Sequence, residues 1–146
     1  MKTLLAAIAA TACLALPAAH AADDVARPAA TKQQNRLVLQ VSDEEAKKWN
    51  TVLNNAHNVQ VELGKDKVEI EIVAYGPGIG MLKADSLVAN RIEEAMADGI
   101  RFVACGNTMK AQKLTKDDMI DKIDYAPAGI VRLMQRQQQG WIYIRP

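Results

Sequence analysis

Short apolar strand patterns alternate with helical patterns along most of this chain, and this alternation restricts its fold more than any other feature. Parallel strands need a long crossover connection, and the usual crossover is a helix. Strands are expected at 36–41, 67–75, 100–105, 122–125 and 141–144, with helices at 46–63, 86–97, 108–112 and from 127 onward. The chain is therefore predicted to form a single α/β domain, a mostly parallel sheet of about five strands with helices on both faces.

The ends of two helices carry specific signals. Ser42-Asp-Glu-Glu45 matches a capping box, so Ser42 is expected to be the N-cap of the first helix. Gly64 is expected to end that helix, although alternating valines and leucine near its end also fit a strand. The last helix is expected to turn three apolar side chains toward the sheet: Ile130, Val131 and Met134.

The first 21 residues have the features of a secretory signal peptide. A positively charged start and an apolar run precede the small-x-small site Ala19-His20-Ala21. Cleavage after Ala21 predicts a periplasmic protein, with a disordered leader at 22–35 and one folded domain at 36–146. A lipidated Cys13 fits poorly, because Ala10 stands where lipoprotein signals usually carry Leu. The run is too short to span a membrane, so no membrane insertion is expected after cleavage.

Charge and cysteine content restrict the partners of the mature chain. Its 17 basic and 17 acidic residues balance, which argues against nucleic acid or an anionic membrane as the main partner. Cys105 is then the only cysteine, so no internal disulfide forms. An unpaired thiol in an oxidising compartment indicates burial, pairing between chains, or chemistry.

Cys105 is the leading candidate for chemistry. It follows an apolar strand and precedes Gly106, Asn107 and Thr108, and either Asn107 or Thr108 can cap a new helix. A sulfur at this turn would face free N–H groups, which favour a thiolate over a thiol. Lys110 and Lys113 lie within reach of the same turn, although neither is certain to point at the sulfur. A buried Cys105 that serves only packing is the alternative.

A glycine-rich loop follows the second strand. Gly76, Pro77 and Gly78 are its candidate pocket residues, and Gly80 completes it. Its spacing is not G-x-G-x-x-G, and Pro77 lacks an N–H that a phosphate would need. A tight strand-to-helix connection is therefore favoured and no cofactor is expected. The loop and Cys105 both follow strand ends, so a shared pocket is predicted.

Other polar residues give little sign of a metal site. His57 is most simply a solvated helix residue, since the mature chain has no second histidine. A Cys105–His57 nucleophile–base pair stays open, although no spacing supports it. The aspartates at 117–124 lack the glycine and terminal Glu of a calcium loop.

Three motifs in order give the chain a family resemblance: Val73-Ala-Tyr-Gly-Pro-Gly-Ile79, Phe102-Val-Ala-Cys-Gly-Asn-Thr-Met109 and Gly140-Trp-Ile-Tyr-Ile-Arg-Pro146. Together they resemble the DsrE/DsrF-like family, and in particular its small members with an A-C-x-N-T motif, over 36–146. The resemblance implies a Rossmann-like sheet and a homo-oligomer, a trimer or hexamer. It also implies that Cys105 carries sulfur as a persulfide and passes it to a partner protein. Asn107 and Thr108 match the motif, and we expect them to cap the helix and shape the pocket.

Three hypotheses follow. The first is an exported sulfur-trafficking protein with donor and acceptor partners. The resemblance implies relays that work in the cytoplasm, so an exported member would need different partner proteins. The second is a non-catalytic homo-oligomer that binds a small ligand, in which Cys105 is structural. The third, metal or haem binding through Cys105 and His57, has the least support.

Overall fold

The computed structural model describes residues 35–146, so the predicted signal peptide and nearly all of the predicted leader lie outside the described residues. The strands are β1 Asn35–Val41, β2 Val68–Ala74, β3 Arg101–Cys105, β4 Asp124–Ala126 and β5 Ile142–Ile144. The helices are α1 Ala46–Leu63, α2 Ala89–Ala97, α3 Gly106–Ala111 and α4 Gly129–Gln138. Three 3-10 segments join them: Lys65–Lys67, Gly76–Leu82 and Lys116–Asp118.

The five strands form one sheet in the order β4-β3-β2-β1-β5, and every pair in it is parallel. The predicted α/β class is therefore confirmed. From β1 to β4 the chain adds each strand on the same side, and then it returns to place β5 beside β1. Right-handed crossovers put α1 and α2 on one face and α4 on the other, because the direction of strand addition reverses before β5.

Alternate side chains of each strand go to these two faces. On the α1–α2 face, Leu39, Ile72 and Phe102 belong to a core packed under Trp49, Leu53 and Ile92. On the α4 face, Val38, Val73 and Val103 pack against Leu133 and Trp141. The second face has fewer covering residues, so the position of α4 depends on a small number of contacts.

The N-cap prediction for α1 is wrong. Glu45 occupies the N-cap position and no side chain caps the helix. The Ser42 hydroxyl instead accepts a hydrogen bond from Gln40 Nε2 at 3.2 Å. The other end is as expected: α1 continues to Leu63, and Gly64 follows it with φ 91°.

The predicted orientation of α4 is also wrong. Ile130, Val131 and Met134 are exposed, and Leu133 is the large apolar side chain of α4 that is buried. Arg132 and Arg136 turn inward, because the carboxylate of Glu71 on β2 lies beneath α4 and pairs with both. A buried charge needs compensating partners, and this requirement outweighs the burial of three apolar side chains.

Candidate functional site

Cys105 is the last residue of β3, and the α3 helix begins at the next residue. Val103, two residues earlier, lies on the α4 face, so Cys105 points to that face as well. The thiol is free and buried, with Cys105 only 5% exposed. Cys105 itself occupies the N-cap position of α3, and neither Asn107 nor Thr108 provides a side-chain cap. The expected caps are absent because the helix starts one residue after the strand ends.

The sulfur accepts a hydrogen bond from the start of α4. The backbone N–H of Gly129, the first residue of α4, donates to Cys105 Sγ with an N···S distance of 3.1 Å. Burial raises the pKa of the Cys105 thiol. Hydrogen bonds from the Thr108 side chain and from the backbone N–H groups of Gly129, Thr108 and Asn107 outweigh this effect and lower the pKa below its ordinary value. The site therefore stabilises a thiolate although it is nearly closed to water.

Gly129 reaches the sulfur because it has no side chain. A Cβ at this position would lie 3.0 Å from Tyr75 Cβ and 3.2 Å from Cys105 Cβ. Tyr75 directly follows β2, so it stands beside Cys105 at the same edge of the sheet. The sequence analysis missed Gly129 and Tyr75. A glycine at the predicted start of α4, just after Pro127, is the signal that could have indicated a close approach.

Thr108 joins two of the predicted site segments. Its Oγ1 accepts a hydrogen bond from the Gly76 N–H at 2.9 Å. The carbonyl oxygen of Gly76 accepts from Gln112 Nε2 at 3.3 Å. The N–H and the carbonyl oxygen of Gly76 thus hold the glycine-rich loop against Thr108 of α3 and against Gln112, which directly follows α3.

The rest of the glycine-rich loop is a tightly packed connection. A Cβ on Gly78 would lie 2.5 Å from the carbonyl oxygen of Val41, so only glycine fits this approach to β1. Pro77 lines an open cavity of about 570 Å³ with Trp49 and Gln112 among its other residues. Cys105 does not line this cavity, because its side chain points to the opposite face. Gly76 links the loop to the sulfur through Thr108.

The other titratable candidates lie away from Cys105. His57 is exposed on α1, which packs on the opposite face of the sheet from the Cys105 side chain. The sheet therefore separates His57 from the sulfur, and His57 cannot act as the base for Cys105. Lys110 and Lys113 are exposed, and neither contributes to the lowered thiol pKa. Between residues 35 and 146, no three metal-binding side chains come together. No helix in that range has the length and apolar character needed to cross a membrane.

The fold and the site together define a class of protein. It is a parallel α/β domain with a hydrogen-bonded cysteine at the end of an interior strand. The chain belongs to the DsrE/DsrF-like family, whose model matches residues 17–146. No curated protein matches it.

Three solved structures are similar to the chain. MTH1491 from Methanobacterium thermoautotrophicum, a protein of unknown function, is 32% identical with a TM-score of 0.74; the match covers 77% of this chain and 99% of that one. BT1422 from Bacteroides thetaiotaomicron, a conserved protein of unknown function, is 18% identical with a TM-score of 0.65, over 80% and 99%. The ychN protein from E. coli is 10% identical with a TM-score of 0.62, over 77% and 99%. The last two support the fold alone.

Proposed function

We propose that this protein is an exported sulfur carrier that holds sulfane sulfur as a persulfide on Cys105 and passes it to an acceptor thiol. The observation that carries the proposal is the Gly129 N–H directed at Cys105 Sγ at 3.1 Å. A donor in this position stabilises the Cys105 thiolate, which attacks the sulfur donor and is released again when the sulfur is passed on. Membership of the family is consistent with this chemistry.

The transfer reaction needs no oxidant beyond the sulfur donor. The Cys105 thiolate attacks the terminal sulfur of thiosulfate, a new S–S bond forms, and sulfite leaves with the electron pair of the broken bond. An acceptor thiolate then attacks the outer sulfur of the persulfide. It takes that sulfur and regenerates the Cys105 thiolate. Because Cys105 is buried, small inorganic donors such as thiosulfate or polysulfide are the first to test.

Intact mass measurement tests the loading step. The mature protein is incubated with thiosulfate or polysulfide, and addition of one sulfur atom is expected. Oxidation to a sulfinic acid adds nearly the same mass, but a thiol reductant removes a persulfide and leaves a sulfinic acid in place. The adduct should therefore disappear after reduction and be absent from Cys105→Ser. A folded protein that takes up no sulfur from either donor contradicts the proposal.

A second function, a non-catalytic protein that binds a small ligand and uses Cys105 only for packing, is favoured by one observation. Cys105 is just 5% exposed, which is typical of a structural cysteine. On this alternative the thiol resists alkylation in the folded protein, and Cys105→Ala retains the function of the protein in the cell. Alkylation at a rate close to that of the unfolded chain argues against it.

Export and self-association are part of the proposal. The predicted signal peptide lies outside the described residues, so its cleavage after Ala21 is to be tested by the mass of the mature chain and by cell fractionation. The proposed homo-oligomer is supported by the exposed outer face of α4, formed by Ile130, Val131 and Met134. Apolar side chains grouped on one helix are typical of a surface that another protein covers.

A further inference from the structure

Glu71 is a buried carboxylate with two arginine partners. Its side chain is fully buried on β2, on the α4 face of the sheet. Arg132 donates to it through Nε and Nη2 at 2.8 and 2.9 Å. Arg136 donates through the same two atoms at 3.0 and 2.5 Å. Both arginines belong to α4, so one carboxylate holds this helix through two forked ion pairs.

The same helix carries the donor to Cys105. Gly129 precedes Arg132 by three residues and Arg136 by seven, about one and two turns. At a rise of about 1.5 Å per residue, the two arginines lie about 4.5 and about 10 Å along the helix axis from Gly129. A displacement of α4 along its axis therefore moves the Gly129 N–H and the two guanidinium groups together. Hydrogen bonds weaken steeply with distance and angle, so a small displacement is enough to lose the contact with sulfur.

The other contacts of α4 fix its position less well. Leu133 packs on Val73 and Val103, and the outer face of the helix is exposed. Apolar packing is non-directional, whereas a guanidinium fork on a carboxylate sets both distance and orientation. The Arg136 guanidinium also lies 4.3 Å from the centre of the Trp141 ring. The two ion pairs are thus the directional contacts between the middle of α4 and the sheet.

We propose that Glu71 is a positioning residue for Cys105, holding α4 in the one placement in which the Gly129 N–H meets the sulfur. This role of Glu71 deepens the proposed function and rests on it. Its test, however, measures the thiol alone and needs no sulfur donor.

The test is the thiol pKa of Cys105 in Glu71→Gln, read from the pH dependence of iodoacetamide alkylation by intact mass. We expect a rise of about one pKa unit, the effect of losing one hydrogen bond to a charged sulfur. A purely electrostatic effect of the substitution would instead lower the thiol pKa of Cys105. Removing the carboxylate leaves Arg132 and Arg136 unpaired, and Arg101 Nη2 lies only 3.7 Å from Glu71, so more positive charge would favour the thiolate. An unchanged or lowered thiol pKa in folded Glu71→Gln overturns the proposal.

Two matched variants separate positioning from other effects. Glu69→Gln removes a carboxylate from the same face of the same strand, but Glu69 pairs with Arg101 at 3.6 Å and does not contact α4 through an ion pair. Val52→Ala destabilises the opposite face, where Val52 is buried in α1. Neither is expected to change the thiol pKa. A rise in either variant equal to that of Glu71→Gln would mean that general destabilisation or charge alone explains the effect.

Where Glu71→Gln does not fold, Arg132→Lys is the second variant. It keeps the positive charge but loses the fork, so the thiol pKa should again rise and the Gly129 amide NMR signal should move. Unchanged values of both overturn the proposal. If the variants show these effects but the wild type takes up no sulfur, Glu71 is still a positioning residue and the sulfur-carrier function is wrong. The failure of one proposal is thus distinguishable from the failure of the other.

Discussion

At Cys105, burial and hydrogen bonding act on the thiol in opposite directions. Burial disfavours the charged thiolate, and donors from Thr108, Gly129 and Asn107 favour it strongly enough to lower the thiol pKa. Thr108 is the one side chain among these donors, and it also holds the Gly76 N–H. A single hydroxyl therefore serves both the sulfur and the glycine-rich loop.

Thr108→Val is expected to raise the thiol pKa of Cys105, because the methyl group that replaces the hydroxyl cannot donate. It also leaves the Gly76 N–H without its acceptor, at a cost of about 1–3 kcal/mol in unfolding free energy. Alkylation against pH and chemical denaturation measure the two effects. Thr115→Val is the control, since Thr115 caps the Lys116–Asp118 segment and does not contact the sulfur. Equal thiol pKa values for Thr108→Val and the wild type contradict the assignment.

At the scale of elements, β2 and α4 are joined by a buried ion-pair network. Burial by itself raises the pKa of Glu71, but hydrogen bonds from Arg132 and Arg136 outweigh it and lower the pKa from 4.5 to about 2. A carboxyl group with a lowered folded-state pKa stabilises the fold above its unfolded pKa. That stabilisation is lost as the pH falls toward the folded value. The window here is between about pH 4.5 and about pH 2.

Glu71→Gln should therefore reduce the unfolding free energy most at neutral pH, by about 3–5 kcal/mol, because it breaks a buried pair and leaves two arginines without their partner. The difference from the wild type should narrow as the pH falls from 4.5 to 2. Denaturant unfolding at a series of pH values measures this. Asp43 and Asp118 also have lowered pKa values, but they are present in both proteins and do not affect the difference. A difference that stays constant with pH would show that Glu71 does not ionise in the folded state as described.

At the scale of the whole molecule, the two faces of the sheet are covered unequally. Two helices and a large core cover one face, and α4 alone crosses the other. The outer side of α4 exposes Ile130 (55%), Val131 (45%) and Met134 (54%). Since α4 also carries the donor to Cys105, a second copy seated on this helix would lie close to the sulfur site.

Val131→Asp and Met134→Asp, separately and together, are expected to convert the proposed homo-oligomer to a monomer, because burying a charge in an apolar interface is costly. Sedimentation velocity measures the change in mass. Leu87→Asp is the matched control: Leu87 is also apolar and is 87% exposed, but it lies outside α4. If the wild type is an oligomer and the α4 variants keep its mass, another surface forms the interface.

The sequence by itself determined the order and type of the main elements and the parallel sheet. These follow from local periodicity and from the short reach of crossover connections, as in the strand 67–75 and the helix ending at Gly64. It also placed Cys105 at the end of a strand, because an apolar run followed by Cys-Gly is visible locally. It did not identify the side of α4 that faces the sheet. Ile130, Val131 and Met134 formed the more apolar stripe, and Glu71 lies about 60 residues earlier in the chain.

Only the tertiary structure decided how the sulfur is held. Gly129 and Cys105 are 24 residues apart, and they meet because the crossover to β5 returns α4 over the sheet. The same reversal puts His57 on the far side of the sheet and leaves the sulfur outside the cavity that Pro77 lines. Local pattern specifies periodicity and turn chemistry. The partners of a buried thiol or carboxylate are set by which distant segments the topology brings together, and no short stretch of sequence contains that information.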